Sequence, residues 1–130
     1  MPARPPRPTA AELDLLRVIW RLGPSTVRAV HEARRAERTD IAYATVLRLM
    51  QVMHGKGLLV RDERQRSHVY AAAHAQDALQ TNLLGELIHK AFAGSGKALV
   101  LAALSEHVSA RVRDEIARLL NEHPAENDDG

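Results

Sequence analysis

The chain lacks cysteine altogether and is poor in aromatic residues, with one Trp, two Tyr and one Phe among 130 residues. The absence of cysteine excludes disulfides, thiolate metal sites and cysteine nucleophiles. The shortage of aromatic rings argues against a stacking platform for single-stranded nucleic acid. The core must therefore be built mainly from Leu, Val, Ile and Ala, a composition that favours helices.

Long apolar runs are also missing. No uninterrupted apolar stretch approaches the roughly 18 residues that a transmembrane helix needs. The Pro- and Arg-rich segment at residues 1–8 is not followed by the apolar stretch of a secretory signal. We therefore expect a cytoplasmic protein that does not insert into a membrane.

Patterns typical of catalysis and metal binding are absent as well. The seven histidines show neither His-x-x-x-His nor His-Glu-x-x-His spacing, so a metal site would require chance assembly by the fold. No carboxylate pair and no Ser/His/Asp set stands in a recognisable context. We expect no metal, no cofactor and no enzymatic activity.

The net charge of +2 conceals an uneven distribution. Residues 1–74 hold 13 Lys and Arg against 7 Asp and Glu, whereas residues 75–130 hold 5 against 9. A basic part followed by an acidic part indicates a polyanionic partner for the first part only. The predicted segments are a flexible arm at 1–8, a first domain at 9–74, a helical module at 75–123 and a disordered acidic tail at 124–130.

Helix-capping signals divide the start of the first domain. Thr9 and Glu12 have the spacing of a capping box, which predicts the beginning of a helix. Gly23, followed by Pro, predicts its end. Ser25 and Thr26 then offer the N-cap of a short second helix.

A third helix and a hairpin complete this domain. Apolar residues at helical spacing predict the helix from near Ile41 to about His54. Two β-prone runs, Leu58–Asp62 and Ser67–Ala71, flank a short polar turn and predict a β-hairpin. Three short helices followed by a hairpin are typical of the winged helix-turn-helix fold. The fold class is therefore mostly α with a small hairpin, followed by further helices.

This arrangement suggests a role for the third helix and the wing. The third helix of such a fold lies in the major groove of DNA, and the wing runs along the backbone. Thr can contact a thymine methyl group, Arg can bind guanine and Gln can bind adenine. Candidate DNA-contacting residues on the helices are Thr26, Arg28, Tyr43, Ala44, Thr45, Arg48 and Gln51. Those on the wing are Arg61, Arg64, Arg66 and His68.

Simpler interpretations of these residues stay open. The helix face can be an ordinary solvated surface, and the wing arginines can be charges that protect an exposed strand edge. Tyr43 can be a packing residue as readily as a phosphate contact. The alternative function is a helical protein–protein adaptor that uses the winged scaffold without sequence-specific DNA binding.

Residues 75–122 carry more apolar surface than three short helices can bury alone. The stripe can pack onto the first domain, but a core shared between two chains covers more of it. Candidate dimerisation residues are Leu83, Leu87, Phe92, Leu99, Leu101, Leu104, Ile116 and Leu120.

The segment Ile41-Ala-Tyr-Ala-Thr-Val-Leu-Arg-Leu-Met50, with Lys56-Gly57-Leu58-Leu59 after it, resembles the recognition-helix signature of the penicillinase-repressor (BlaI/MecI) family. Similar segments elsewhere are Thr9-Ala-Ala-Glu12, Ile19-Trp20, Thr26-Val27-Arg28, Val69-Tyr70 and the stretch from Phe92 to Val100. The resemblance extends over residues 9–122 and is carried most specifically by the first two segments together.

The resemblance implies a homodimer that binds a palindromic operator in double-stranded DNA and represses genes, often those of β-lactam resistance. It also implies relief of repression when a membrane metalloprotease sensor cuts the dimer module. The Asn-Phe pair cut in some members aligns near Ala102-Ala103, and this chain lacks it. Ala44 replaces a usual threonine and Arg48 a small polar residue, so the operator sequence is expected to differ. The cysteine motif of copper-responsive relatives is absent.

Overall fold

The computed structural model describes residues 6–37 and 40–123, so most of the predicted arm and the whole predicted acidic tail lie outside the described residues. Helices predominate in the described part, and the two strands form one antiparallel sheet. The elements are α1 (Ala10–Leu22), α2 (Val27–Ala36), α3 (Tyr43–Lys56), β1 (Leu59–Asp62), β2 (Val69–Ala72), α4 (Gln76–Ala91), α5 (Gly96–Glu106) and α6 (Ala110–Glu122). Three helices, a hairpin and three further helices confirm the predicted fold class.

The predicted capping box begins α1. The Thr9 hydroxyl accepts from the backbone N–H of Glu12 (3.1 Å), and the Glu12 carboxylate accepts from the backbone N–H of Thr9 (2.9 Å). These two bonds satisfy N–H groups that have no partner within the helix. At the other end, Gly23 takes a positive φ of 82° and donates to the carbonyl of Ile19, which ends the helix where the sequence predicts.

Thr26 alone caps α2, so the prediction that Ser25 shares this role is wrong. The Thr26 hydroxyl accepts from the N–H of Ala29 (3.2 Å). Ser25 instead donates its hydroxyl to the carbonyl of Gly23 (2.7 Å), and its backbone exchanges two 2.8 Å hydrogen bonds with Tyr70 in β2. Ser25 therefore ties the start of α2 to the hairpin, a long-range pairing that local sequence does not reveal.

Helix α3 begins two residues later than the sequence suggests. Ala42 occupies its N-cap position without a side-chain hydrogen bond. The turn before the helix is held from α2 instead, because the His31 ring Nε2 donates to the carbonyl of Ile41 (2.8 Å). The helix ends at Lys56, and Gly57 follows in the left-handed conformation with φ 86°.

The hairpin pairs β1 with β2 from Leu59 opposite Ala72 to Asp62 opposite Val69. The predicted hairpin is therefore present, with strands shifted by one or two residues. The hairpin packs against the helices through Leu59 and Tyr70, which are both buried. Its tip lies between residues 62 and 69.

One hydrophobic core joins the first three helices, the hairpin and the start of α4. The indole N–H of Trp20, the chain's one tryptophan, donates to the carbonyl of His74 (3.0 Å) and fixes the segment that leads into α4. Leu83 packs against this core. The buried members are Leu15, Leu16, Val18, Ile19, Val27, Val30, Val46, Met50, Met53, Leu58, Leu59, Tyr70 and Leu79.

The chain divides into two compact units, with the division between Leu84 and Gly85. The sequence places the boundary near residue 74, whereas the first two turns of α4 belong to the first unit. The second unit contains the end of α4 with α5 and α6. Ser95 and Ser109 cap α5 and α6, and neither helix contains a buried residue.

Candidate nucleic-acid interface

The outer face of α3 is exposed and free of acidic residues. Val46, Met50 and Met53 fix the opposite face in the core. All four predicted reading residues are exposed: Ala44, Thr45, Arg48 and Gln51. No Asp or Glu occurs anywhere between Tyr43 and Lys56. This surface therefore attracts anions and offers side chains that can form hydrogen bonds to bases.

Helical geometry spreads these side chains over a broad arc. At about 100° per residue, Arg48 lies at the centre of the arc, with Thr45 and Gln51 about 60° to either side. Gln51 lines a cleft next to the wing, whereas Thr45 and Arg48 are not among the residues that line it. Arg48 thus lies at the centre of the face, Gln51 at the edge next to the wing, and Thr45 at the opposite edge.

The cleft lies between α2, α3 and the wing and has a volume of about 590 Å³. It is lined by Thr26, Val27, Arg28, Tyr43, Leu47, Gln51, Arg66, Ser67, His68 and Tyr70. Six of the predicted contact residues are therefore brought together here, and no carboxylate lines the cleft. Ser67 is a lining residue that the sequence analysis did not single out, because nothing in the local pattern indicates its orientation.

Tyr43 packs against a neighbouring ring and also lines the cleft. Its ring meets the His31 ring edge to face, with centroids 5.6 Å apart, and it remains 45% exposed at the cleft. The same His31 holds the carbonyl of Ile41. The packing contact therefore fixes a tyrosine that stays partly exposed at the cleft.

The three wing arginines differ in their partners. Arg64 forms a two-pronged ion pair with Asp62, with nitrogen–oxygen distances of 2.6 and 3.0 Å. Arg61 donates to Glu63 (2.7 Å) and lies 6.0 Å from the centre of the Tyr70 ring. Arg66 has no ion pair within residues 6–37 and 40–123. Asp62 and Glu63 are components of the wing that the sequence analysis missed, since both pairings depend on the shape of the turn.

Arg64 also changes the acidity of its partner. The hydrogen bonds from the Arg64 side chain and backbone hold the pKa of Asp62 at about 2, well below its usual range. Asp62 is therefore ionised at every pH at which the protein is expected to work. The wing tip carries permanent negative charge beside its positive charge.

A buried ion pair fixes the far end of α3. The Lys56 ammonium group donates to the Glu12 carboxylate over 2.6 Å, and only 3% of the Glu12 side chain is exposed. Burial opposes ionisation of Glu12, but the bonds from Lys56 and Thr9 outweigh it and hold the pKa of Glu12 below its ordinary value. The pair ties the last residue of α3 to the capping box of α1.

The described residues contain neither a cluster of metal ligands nor a single membrane-spanning helix. Across the described ranges, no group of three or more His, Asp or Glu side chains is placed to hold a metal ion. No single helix there is long and apolar enough to cross a membrane. Helices α4 and α5 meet the length and composition criteria only as a pair, and they are bent by 98° at the break between them.

The predicted dimerisation residues fall into three environments. Leu83 packs against the core of the first unit. Three others in α4, α5 and α6 are largely exposed: Leu87, Leu101 and Leu120. Half-buried positions are taken by Phe92, Leu99, Leu104 and Ile116. The aligned cleavage position, Ala102-Ala103, is half-buried in the middle of α5.

Three helices, an acid-free face on the third and a basic wing beside it define a winged-helix DNA-binding protein. The penicillinase repressor family model matches residues 8–122, and the chain belongs to this family. Two relatives named "Transcriptional regulator BlaI", from Mycobacterium tuberculosis strains CDC 1551 / Oshkosh and ATCC 25618 / H37Rv, are each 35% identical over 105 residues. The matched region covers 80% of this chain and 75% of each relative. The chain is thus a transcriptional repressor of this family and not an enzyme.

Proposed function

We propose that the protein is a cytoplasmic homodimer that represses transcription by binding a palindromic operator in double-stranded DNA. The observation that carries this proposal is the placement of Arg28, Arg48 and Arg66. They lie on the outer face of α3 and around the adjoining cleft, none has an ion pair among the described residues, and no carboxylate lines the cleft. Cations left unpaired beside an acid-free helix suit a polyanion.

Each part of the surface has a distinct task in this proposal. Arg48, at the centre of the α3 face, reads a guanine edge in the major groove, and Thr45 contacts the neighbouring base. Gln51 reads the side of the site nearest the wing. Arg28 and Arg66 neutralise backbone phosphates at the cleft, which sets the register of α3 on the duplex.

The second unit supplies the dimer contact. Leu101 and Leu120 are 54% and 64% exposed, and Leu87 is 50% exposed. Because these side chains are already about half buried, covering the rest stabilises an assembly by roughly 1 kcal/mol each. A second copy of the chain covers the same residues by symmetry, and two reading heads then meet half-sites one or more helical turns apart.

The family suggests both the regulated genes and the release of repression. We propose genes of β-lactam resistance as targets, and cleavage near Ala102-Ala103 by a membrane metalloprotease as the inducing step. Since these alanines are half-buried inside α5, cleavage requires local unwinding of that helix. Incubating the repressor with the sensor protease and sequencing the fragments tests this step.

Fluorescence anisotropy on the DNA upstream of the protein's own gene tests the main proposal. We expect tight, salt-sensitive binding to a palindromic segment and much weaker binding to a scrambled duplex of equal length. Equal affinity for both duplexes at all salt concentrations would favour the protein–protein adaptor instead. Sedimentation of the free protein and of the complex tests the dimer separately.

A further inference from the structure

Two carboxylates of the wing, those of Asp62 and Glu63, form ion pairs with wing arginines. Arg64 is 88% exposed, and Asp62 occupies its guanidinium group through both Nε and an Nη nitrogen. This edge of the guanidinium is the one that binds a phosphate in two-pronged fashion. Arg64 cannot use the edge for DNA while Asp62 holds it.

Asp62 is placed to return to Arg64 whenever DNA leaves. Its Oδ1 atom also accepts from the backbone N–H of Arg64 (3.0 Å), so the turn itself positions the carboxylate. The pair is local, two residues apart, and needs no long-range contact to form. Its low pKa keeps the competitor charged at neutral pH.

Arg61 and Glu63 form a pair of a different kind. The Arg61 side chain is only 23% exposed and is also stacked near Tyr70, so it is fixed in the fold. Glu63 therefore contributes less to any competition with DNA. It serves as a matched control, because it is an adjacent wing carboxylate that forms an ion pair with a neighbouring arginine.

We propose that Asp62 limits sequence-independent DNA binding by competing with phosphate for Arg64. The inference rests on the proposed DNA-binding function. In the free protein, Arg66 is the one wing arginine without an ion pair among the described residues. Arg64 can bind a DNA phosphate only after the phosphate has displaced the Asp62 carboxylate. The exchange reduces the attraction of the wing to DNA of any sequence, and hence the fraction of repressor held on non-operator DNA.

The test is the salt dependence of binding to a random-sequence duplex. Asn at position 62 keeps an oxygen for the backbone N–H of Arg64 but removes the competing charge. Asp62→Asn is expected to tighten binding by about twofold to fivefold for each wing of the dimer, the range of an exposed ion pair. The slope of log affinity against log salt becomes steeper by about 0.9 for each additional phosphate contact, hence by about 1.8 for the two wings of the proposed dimer. Glu63→Gln leaves that slope unchanged.

Arg64→Ala and the double variant Asp62→Asn/Arg64→Ala complete a double-mutant cycle with Asp62→Asn and the unmodified protein. If Asp62 acts through Arg64, adding Asp62→Asn to Arg64→Ala leaves the slope where Arg64→Ala alone puts it. An equal steepening in both backgrounds would show a general charge effect and overturn the inference, as would an unchanged slope in Asp62→Asn. If the unmodified repressor fails to bind DNA, the proposed function itself is overturned, and this inference with it. Circular dichroism checks that each variant folds.

Discussion

The two units of the chain differ in how they bury apolar surface. The first unit encloses a core in which residues such as Val30, Val46 and Met50 are wholly inaccessible. In the second unit, α5 and α6 contain no buried residue, although α5 is the more apolar of the two in sequence. The first unit thus resembles a domain that folds by itself, whereas α5 and α6 leave apolar side chains such as Leu101 and Leu120 exposed.

The units also differ in their polar contacts. The first unit is fixed by long-range bonds such as Lys56 to Glu12 and Trp20 to His74. In the second unit, hydrogen bonds such as that from the Ser105 hydroxyl to the carbonyl of Leu101 are local, within α5. The long-range bonds of the first unit therefore hold the α3 face in a fixed position, whereas apolar side chains of the second unit such as Leu101 and Leu120 remain exposed.

The largest expected effect is loss of the dimer. Leu101→Glu combined with Leu120→Glu places two carboxylates on the exposed apolar faces of α5 and α6. We expect a monomer in sedimentation experiments and a loss of operator affinity of about a hundredfold or more, since the second head no longer binds intramolecularly. Fluorescence of Trp20, which reports on the first unit only, should show unchanged urea unfolding of that unit.

Lys97→Glu is the control for this experiment, because it adds a carboxylate to α5 at an exposed polar position. It should remain dimeric. A double-glutamate variant that stays dimeric and keeps operator affinity would contradict the comparison, because the exposed leucines of the second unit would then have no role in assembly.

The next effect concerns the reading face. Arg48→Ala removes the central side chain of the α3 arc and should cost about 1–3 kcal/mol of discrimination at one base pair per half-site. Affinity for operator variants at that base pair should become nearly equal, as measured by competition anisotropy. Arg35→Ala, which removes an exposed arginine of α2 outside the cleft, should leave the preference unchanged. If both variants weaken every duplex alike, Arg48 binds phosphate and not a base.

The buried pair at the end of α3 gives a smaller effect on stability. Lys56→Met leaves the Glu12 carboxylate buried without its cation, and should destabilise the first unit by about 1–2 kcal/mol. The figure is below that of a fully buried pair because one third of the Lys56 side chain is exposed. Urea unfolding followed by Trp20 fluorescence measures it, with Lys90→Met in α4 as the control.

The same ion pair makes the stability of the first unit depend on pH. Because the folded pKa of Glu12 lies below its unfolded value, the stabilisation is complete above the ordinary glutamate pKa and is lost as pH falls through the lowered value. The difference in free energy of unfolding between the unmodified protein and Lys56→Met, measured by urea unfolding at a series of pH values, should therefore shrink as pH falls through the lowered pKa of Glu12. A difference that stays constant over this range would show that Lys56 does not act through the Glu12 carboxylate.

The sequence predicts the parts of this molecule that depend on local pattern. Thr9, Gly23 and Thr26 have the predicted cap roles because each needs only neighbours a few residues away. The face of α3 is equally local, since helical periodicity alone exposes Arg48. The family resemblance is confirmed by the comparisons, and the operator, the dimer and the cleavage site stay predictions.

Contacts that depend on the tertiary arrangement could not be predicted from the sequence. The backbone of Ser25 pairs with that of Tyr70 in the hairpin, so the cap role that its local sequence predicts is wrong. Leu83 belongs to an apolar stripe that looks uniform in sequence, yet the fold assigns it to the first core. In the sequence, Asp62 and Glu63 are two acidic residues without evident partners. The hairpin turn brings them into ion pairs with Arg64 and Arg61.

The smallest expected effect separates two arginines of the same wing. Arg66→Ala removes a cation at the cleft that has no ion pair in the described part of the chain, so binding to all sequences should weaken. The salt slope should fall by about 1 for each wing, hence by about 2 for the proposed dimer. Arg64→Ala should change the slope far less, because Asp62 already holds that guanidinium group. Both variants should remain dimers, since the changes lie in the first unit. Equal slopes for the two variants would mean that ion pairs seen in the free wing do not decide which arginine contacts DNA.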